Sequence, residues 1–91
     1  MGNRVEEAQA LLLTVMPNPS SSYFTLVING SAAGKAQLRV IDAVGRVVET
    51  KDNLQAKSTL SIGQHYQPGL YFVELIQNNQ KTILKLIKTK R

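Results

Sequence analysis

The sequence predicts an all-β domain, a sandwich or barrel of seven short strands with no long helix, and three observations lead there. Apolar residues recur at alternate positions in short runs, the period of a strand that buries one face. Clusters of Gly, Pro, Asn and Ser interrupt those runs about every 8–12 residues, the spacing expected of all-β sandwiches and barrels. A chain of 91 residues has room for one core. At that size only about 60–65% of the unfolded surface is buried, which leaves little structure for a deep cleft.

Residues 1–10 read as a linker, with Met1-Gly2 a remnant of expression and a turn of helix available over residues 6–13. Strands follow at about 11–16, 23–28, 35–41, 46–51, 58–62, 70–77 and 81–88. Pro17-Asn18-Pro19 ends the first of them, because two prolines remove two backbone donors and fix φ twice. In Asp42-Ala43-Val44-Gly45-Arg46, the Asp42 carboxylate can accept from backbone N–H groups two or three residues on. Gly45 can take the positive φ of a tight turn, so the third and fourth strands are expected to pair. Gln67-Pro68-Gly69-Leu70 has Pro and Gly where a type II turn wants them, leading directly into Tyr71. Asn78-Asn79 suits a two-residue hairpin, since Asn tolerates positive φ. Pairing Gln77 with Gln80 then puts Tyr71, Val73 and Leu75 on one face with Leu84 and Leu86. The other face sets Glu74 across from Ile83, with Lys81 and Lys85 at the diagonals. Phe72, Ile76, Ile83 and Ile87 make that second face more apolar than solvent requires, as if part of it were covered or met a partner.

The net charge of +5 is unevenly placed. Arg4, Lys35, Arg39, Arg46, Lys51 and Lys57 are balanced by Glu6, Glu7, Asp42, Glu49, Asp52 and Glu74, so residues 1–80 are neutral. The excess is Lys81, Lys85, Lys88, Lys90 and Arg91, a basic tail on a neutral body. Nucleic-acid binders more often spread basic groups over a face and add stacking aromatics, so no nucleic-acid partner is expected. No run approaches the roughly 18 apolar residues of a membrane span. The segment before Ala10–Met16 carries Glu6 and Glu7 where a signal peptide wants positive charge, so no N-terminal export signal is expected. With no cysteine there is no disulfide or thiolate site, and the core holds by packing alone.

Candidate chemistry is sparse. Ser20, Ser21 and Ser22 follow the proline turn without a nucleophile-elbow setting and read as solvated loop serines. His65, the one histidine, has no metal-ligand spacing around it and reads as a loop residue beside Tyr66. No calcium loop and no phosphate cradle is present, so neither a cofactor nor a metal is expected and the chain does not read as an enzyme. Asp42 is explained by turn capping. Arg46 can pair with Asp42, meet a partner carboxylate or stand in solvent. The tail lysines fit either recognition or the protection that Lys gives to edge strands.

In order along the chain, several segments resemble the type A family of type IX (Por) secretion C-terminal sorting domains. They are Pro17-Asn18-Pro19-Ser20 after an apolar strand, Phe24 and Leu26 in the next, Val40-Ile41-Asp42 leading to Gly45-Arg46, and Pro68-Gly69-Leu70-Tyr71 with Phe72-Val73. The final Lys-rich strand ends at Lys90-Arg91, and the likeness covers about residues 12–91. The resemblance implies a seven-stranded immunoglobulin-like β-sandwich over residues 11–91, at the C-terminus of a larger exported protein. Such a module directs periplasmic cargo to the outer-membrane translocon and its shuttle and attachment complex, on the way to the cell surface or medium. A sortase-like surface peptidase then cuts the upstream linker and anchors the cargo to lipopolysaccharide; the module is its substrate and not an enzyme. The family's turns fall on Pro17, Asn18, Pro19, Asp42, Gly45, Arg46, Pro68, Gly69, Leu70 and Tyr71. The translocon-recognition residues fall on Lys81, Lys85, Leu86, Ile87, Lys88, Lys90 and Arg91. Asn78-Asn79 stands where many members carry Asn-Gly, and the segment before Leu11 is too short to locate a cleavage site.

An exposed last strand with unpaired backbone groups offers strand addition to a receptor, and its lysines offer complementarity to an acidic groove. The same edge can exchange between copies, which adds a strand-exchanged dimer to the expected partners. The rival readings are a passive fibronectin-like spacer or adhesion module, a carbohydrate-binding sandwich, which the absence of Trp disfavours, and nucleic-acid binding by the tail, which steep salt-dependent binding to any duplex would support.

Overall fold

The computed structural model describes residues 11–30 and 34–90. The expected linker 1–10 and Arg91 lie outside the described residues. Among the described residues there are seven strands and no helix: β1 (Leu12–Met16), β2 (Phe24–Asn29), β3 (Ala36–Asp42), β4 (Val47–Leu54), β5 (Lys57–Ile62), β6 (Gly69–Gln77) and β7 (Gln80–Lys88). They form two antiparallel sheets, one ordered β1-β2-β5 and the other β4-β3-β6-β7, packed as an immunoglobulin-like sandwich. The turn of helix considered over residues 6–13 is not present at its described end, where Leu12 and Leu13 already pair with β2.

Alternation explains the core. In β2 the side chains of Phe24, Leu26 and Ile28 point inward while Val27 and Asn29 face solvent. In β3 the inward set is Ala36, Leu38 and Val40, and in β6 it includes Tyr71, Val73 and Leu75. These meet Leu13 and Ile62 from the first sheet and Leu86 from β7 in one continuous cluster. Each fully buried Leu or Phe is worth about 1.5–3 kcal/mol over leaving it exposed, the main favourable contribution in a chain without cross-links.

The turns follow their local chemistry. Asp42 N donates to Arg46 O (2.9 Å), Gly45 N donates to Asp42 O (3.0 Å), and Gly45 has φ +93°, where a Cβ is disfavoured, so β3 and β4 pair as expected. Asn78, at φ +55°, turns β6 into β7 with Gln77 opposite Gln80. β4 outlasts its expected end at residue 51 and runs to Leu54, because register shifts let it stay paired to β3 through its polar residues. The type II turn at Pro68-Gly69 is not formed: Gly69 has φ +153°, far from the roughly +80° that turn uses, and is already the first residue of β6.

What anchors the entry to β6 is Tyr71. Its hydroxyl donates to the carbonyl of Gln67 (2.6 Å), and its ring lies 4.7 Å from that of Tyr66. A tyrosine at the start of this strand that bonds back to the backbone a few residues upstream is the tyrosine corner of Greek-key sandwiches. Leu26→Ala is expected to cost about 2–5 kcal/mol in urea unfolding by emptying the centre of the core. Val27→Ala, one residue along on the solvent side, is expected to cost about 0.5 kcal/mol or less.

Candidate functional site

β7 has two unlike faces. The Gln77–Gln80 register points Thr82, Leu84, Leu86 and Lys88 toward the sandwich interior, and Lys81, Ile83, Lys85 and Ile87 toward solvent on the outer face. Lys81, Lys85, Ile87 and Lys90 are exposed, as a recognition role requires. Leu86 is fully buried and Lys88 is only 6% exposed, so these two offer a receptor no side-chain surface in the folded domain.

Lys88 is held by the turn between β5 and β6. Its ammonium donates to the carbonyl oxygens of Gly63 and Tyr66 (3.2 Å to the latter) and lies 5.9 Å from the centre of the Tyr66 ring. That turn is itself closed by Tyr66 N donating to Gly63 O (3.2 Å). A buried ammonium satisfied by carbonyls and a ring face is a structural clasp joining the last strand to the turn that links the two sheets. The Tyr66 hydroxyl donates to Glu49 (2.6 Å), and burial followed by this carboxylate contact pushes the phenol far above its ordinary range.

The proline turn does more than end β1. Both of its X–Pro bonds are cis, and it carries the chain from the first sheet to the outer edge of β7. There the Asn18 side-chain amide acts as a piece of strand. Its Nδ2 donates to Lys85 O (2.7 Å), and its Oδ1 accepts from Ile87 N (3.0 Å). Ser20 continues the pairing, its N donating to Ile87 O (3.0 Å) and its O accepting from Thr89 N (2.9 Å), in a parallel bridge with Lys88. The edge expected to be unpaired is therefore covered from Lys85 O onward. Ser20 is buried, not solvated: its hydroxyl donates to Tyr23 O (2.6 Å) and accepts from Ser22 N (3.1 Å). Pro17 and Pro19 flank these contacts and are exposed.

At the same end of the sandwich, where Asp42 pairs with Tyr71 and Tyr71 with Leu86, Asp42 accepts from Val44 N (3.0 Å) and Arg46 N (2.9 Å) and pairs with Arg46 Nε (2.9 Å), so Arg46 takes the intramolecular option. The Arg46 backbone N–H leads in holding the Asp42 carboxyl below its ordinary value of 3.8, with the guanidinium and Val44 N–H adding to it. Asp42, Arg46, Glu49, His65, Tyr66 and Tyr71 line part of an open depression of about 470 Å³. Its carboxylates are engaged, Asp42 by Arg46 and Glu49 by Tyr66 and Lys51 (3.4 Å). Leu70 lies on the outer face of β6 opposite Ile87, Gly69 pairs with Lys88, and both are exposed, as is Pro68 just before them. The Asp42 turn and the β6–β7 register are readable in the sequence; the Asn18 amide and the Lys88 clasp join distant segments, and no local signal marks them.

The basic last strand is thus built into the sandwich, with Leu86 in its core and Lys81 and Lys85 on its outer face. The model of the secretion system C-terminal sorting domain family matches residues 14–89, and the chain belongs to this family, the type IX secretion sorting signal. Such a domain is carried by cargo exported through the outer membrane, and the family is one of signals, not of catalysts. No curated protein matches the chain. Among the described residues no helix is long and apolar enough to cross a membrane.

Lys88→Ala is expected to lower stability by about 1–3 kcal/mol, since the Tyr66 carbonyl loses the ammonium and the Gly63 carbonyl keeps only the Tyr66 N–H. Lys85→Ala, on the outer face, is expected to change it by about 0.5 kcal/mol or less; urea titration of both variants separates the roles. The lowered Asp42 value means that its contribution is complete above the unfolded-state value near 4 and is lost as pH falls through the folded value. Asp42→Asn is therefore expected to be less stable than the parent at pH 7, with the difference shrinking below pH about 4, as read from urea midpoints across the acid range.

Proposed function

We propose that residues 11–91 are a folded address that takes its parent protein through the type IX translocon, and that residues 1–10 belong to the linker joining it to the cargo. The observation that carries this reading is the family match over residues 14–89. The structure supports it physically, because the basic last strand is part of the core and presents Lys81 and Lys85 in one fixed register. The domain engages the translocon with its outer-membrane shuttle and attachment complex, passing through the periplasm before reaching the surface or medium. A sortase-like peptidase then cuts upstream of Leu11 and discards the domain, which performs no chemistry of its own.

The test is a periplasm-directed fluorescent reporter fused to residues 1–91, in a Gram-negative host with a working type IX system and in the same host lacking the translocon. Reporter outside the cell in the first host only is the expected outcome. Periplasmic retention in both assigns the domain to the spacer class and overturns the proposal. Mass spectrometry of delivered reporter is expected to find residues 11–91 gone, and finding them intact removes the peptidase step.

A further inference from the structure

The cover laid by residues 17–20 leaves a short part of the β7 edge open. Backbone groups alternate sides along a strand, and the bonds from Asn18 and Ser20 show that Lys85 O, Ile87 N and Ile87 O point outward. By the same alternation Lys81 and Ile83 point both their N–H and C=O outward, as does the N–H of Lys85. None of these five groups is paired within the described fold. The side chains of the same residues stand on the outer face, Ile83 being 52% exposed. Next to it Glu74 is already neutralised by Arg39 (2.8 Å), with Lys81 4.0 Å from its other oxygen. Among the described residues no carboxylate pairs with Lys85.

We propose that this open edge, residues 81–85 of β7, is a strand-addition site for an extended partner segment of the pattern acidic–x–apolar–x–acidic. The proposal rests on the sorting reading and names the surface and the partner chemistry it implies. Five alternating backbone groups give such a segment its ladder, which supplies affinity without dependence on sequence. Side chains directly opposite on one face of a sheet interact, so a carboxylate falls across from Lys81, an apolar residue across from Ile83 and a second carboxylate across from Lys85. Phe72, paired with Lys85 in the next strand and 37% exposed, extends the apolar strip behind the ladder. A second copy of the chain is the poorer occupant. Antiparallel addition of two β7 edges about Ile83 sets Lys81 of each copy across from Lys85 of the other, and like charges directly opposed destabilise a pair.

The experiment uses the reporter fusion in the type IX host. Ile83→Pro removes the central outward donor, and an edge strand tolerates proline where its N–H is unpaired in the fold. Ile83→Ala controls for the side chain, and Lys81→Glu with Lys85→Glu reverses the charges. Delivery is expected to fall at least about tenfold for Ile83→Pro and for the charge-reversed pair, and to stay within about twofold for Ile83→Ala, with all purified domains folded. Undiminished delivery of folded Ile83→Pro, or of the charge-reversed pair, overturns the proposal while wild-type delivery leaves the sorting reading standing. Failure of the wild-type fusion itself falls on the sorting reading instead. If Ile83→Pro does not fold, the charge-reversed pair decides alone. A wild-type dimer in sedimentation that Ile83→Pro dissolves assigns the edge to a second copy and overturns the proposal.

Discussion

Nearly every property of the last strand descends from one register. Because Gln77 faces Gln80 across the Asn78 turn, even-numbered residues of β7 enter the sandwich and odd-numbered ones leave it. A slip of one residue exchanges the two sets at once. Leu86 then leaves the core, Lys88 loses the carbonyls of Gly63 and Tyr66, and the outward groups at Lys85 and Ile87 turn away from Asn18. Register is thus enforced from three sides by apolar burial, a buried ammonium and an amide that imitates backbone. A strand fixed this firmly presents its exposed lysines in one arrangement, which is what separates a folded signal from a basic tail.

Reading such a chain from its sequence succeeds where the determining physics is local. Alternation in β2, β3 and β6 announces the sandwich, the Asp42–Arg46 turn contains its own donors and acceptors, and Asn78-Asn79 sets the hairpin within its own few residues. The pattern gives no comparable warning about Lys88, whose partners lie 22 and 25 residues away, or about Asn18, whose partners are 67 and 69 residues away. A lysine at the chain end looks solvated by composition, and an asparagine between prolines looks like a turn residue. Gly69 misleads in a different way: Pro-Gly permits a type II turn, but the segment runs straight into β6 with the Tyr71 hydroxyl donating back to the Gln67 carbonyl.

The two edges of the four-stranded sheet are managed unequally. β4 is bulged and polar at its outer end, a common way to blunt an edge. β7 is covered over its second half by a segment borrowed from the first sheet, and over its first half only by the mutual repulsion that two lysines impose on a like partner. Charge that repels a copy of the same chain attracts a carboxylate-bearing one, so solubility and selectivity come from the same two side chains.

The parallel bridge between Ser20 and Lys88 also sets how the domain carries load. Residues 11–20 and 82–89 run side by side in the same direction, tied at one end by the Thr82 hydroxyl donating to Leu11 O (2.9 Å) and at the other by Asn18 and Ser20. Tension applied between the upstream end and the last strand acts along this seam and stresses its hydrogen bonds together in shear. They are not opened singly, as a hairpin is unzipped. The two outermost segments of the fold are thus joined by a seam built to bear traction along its length.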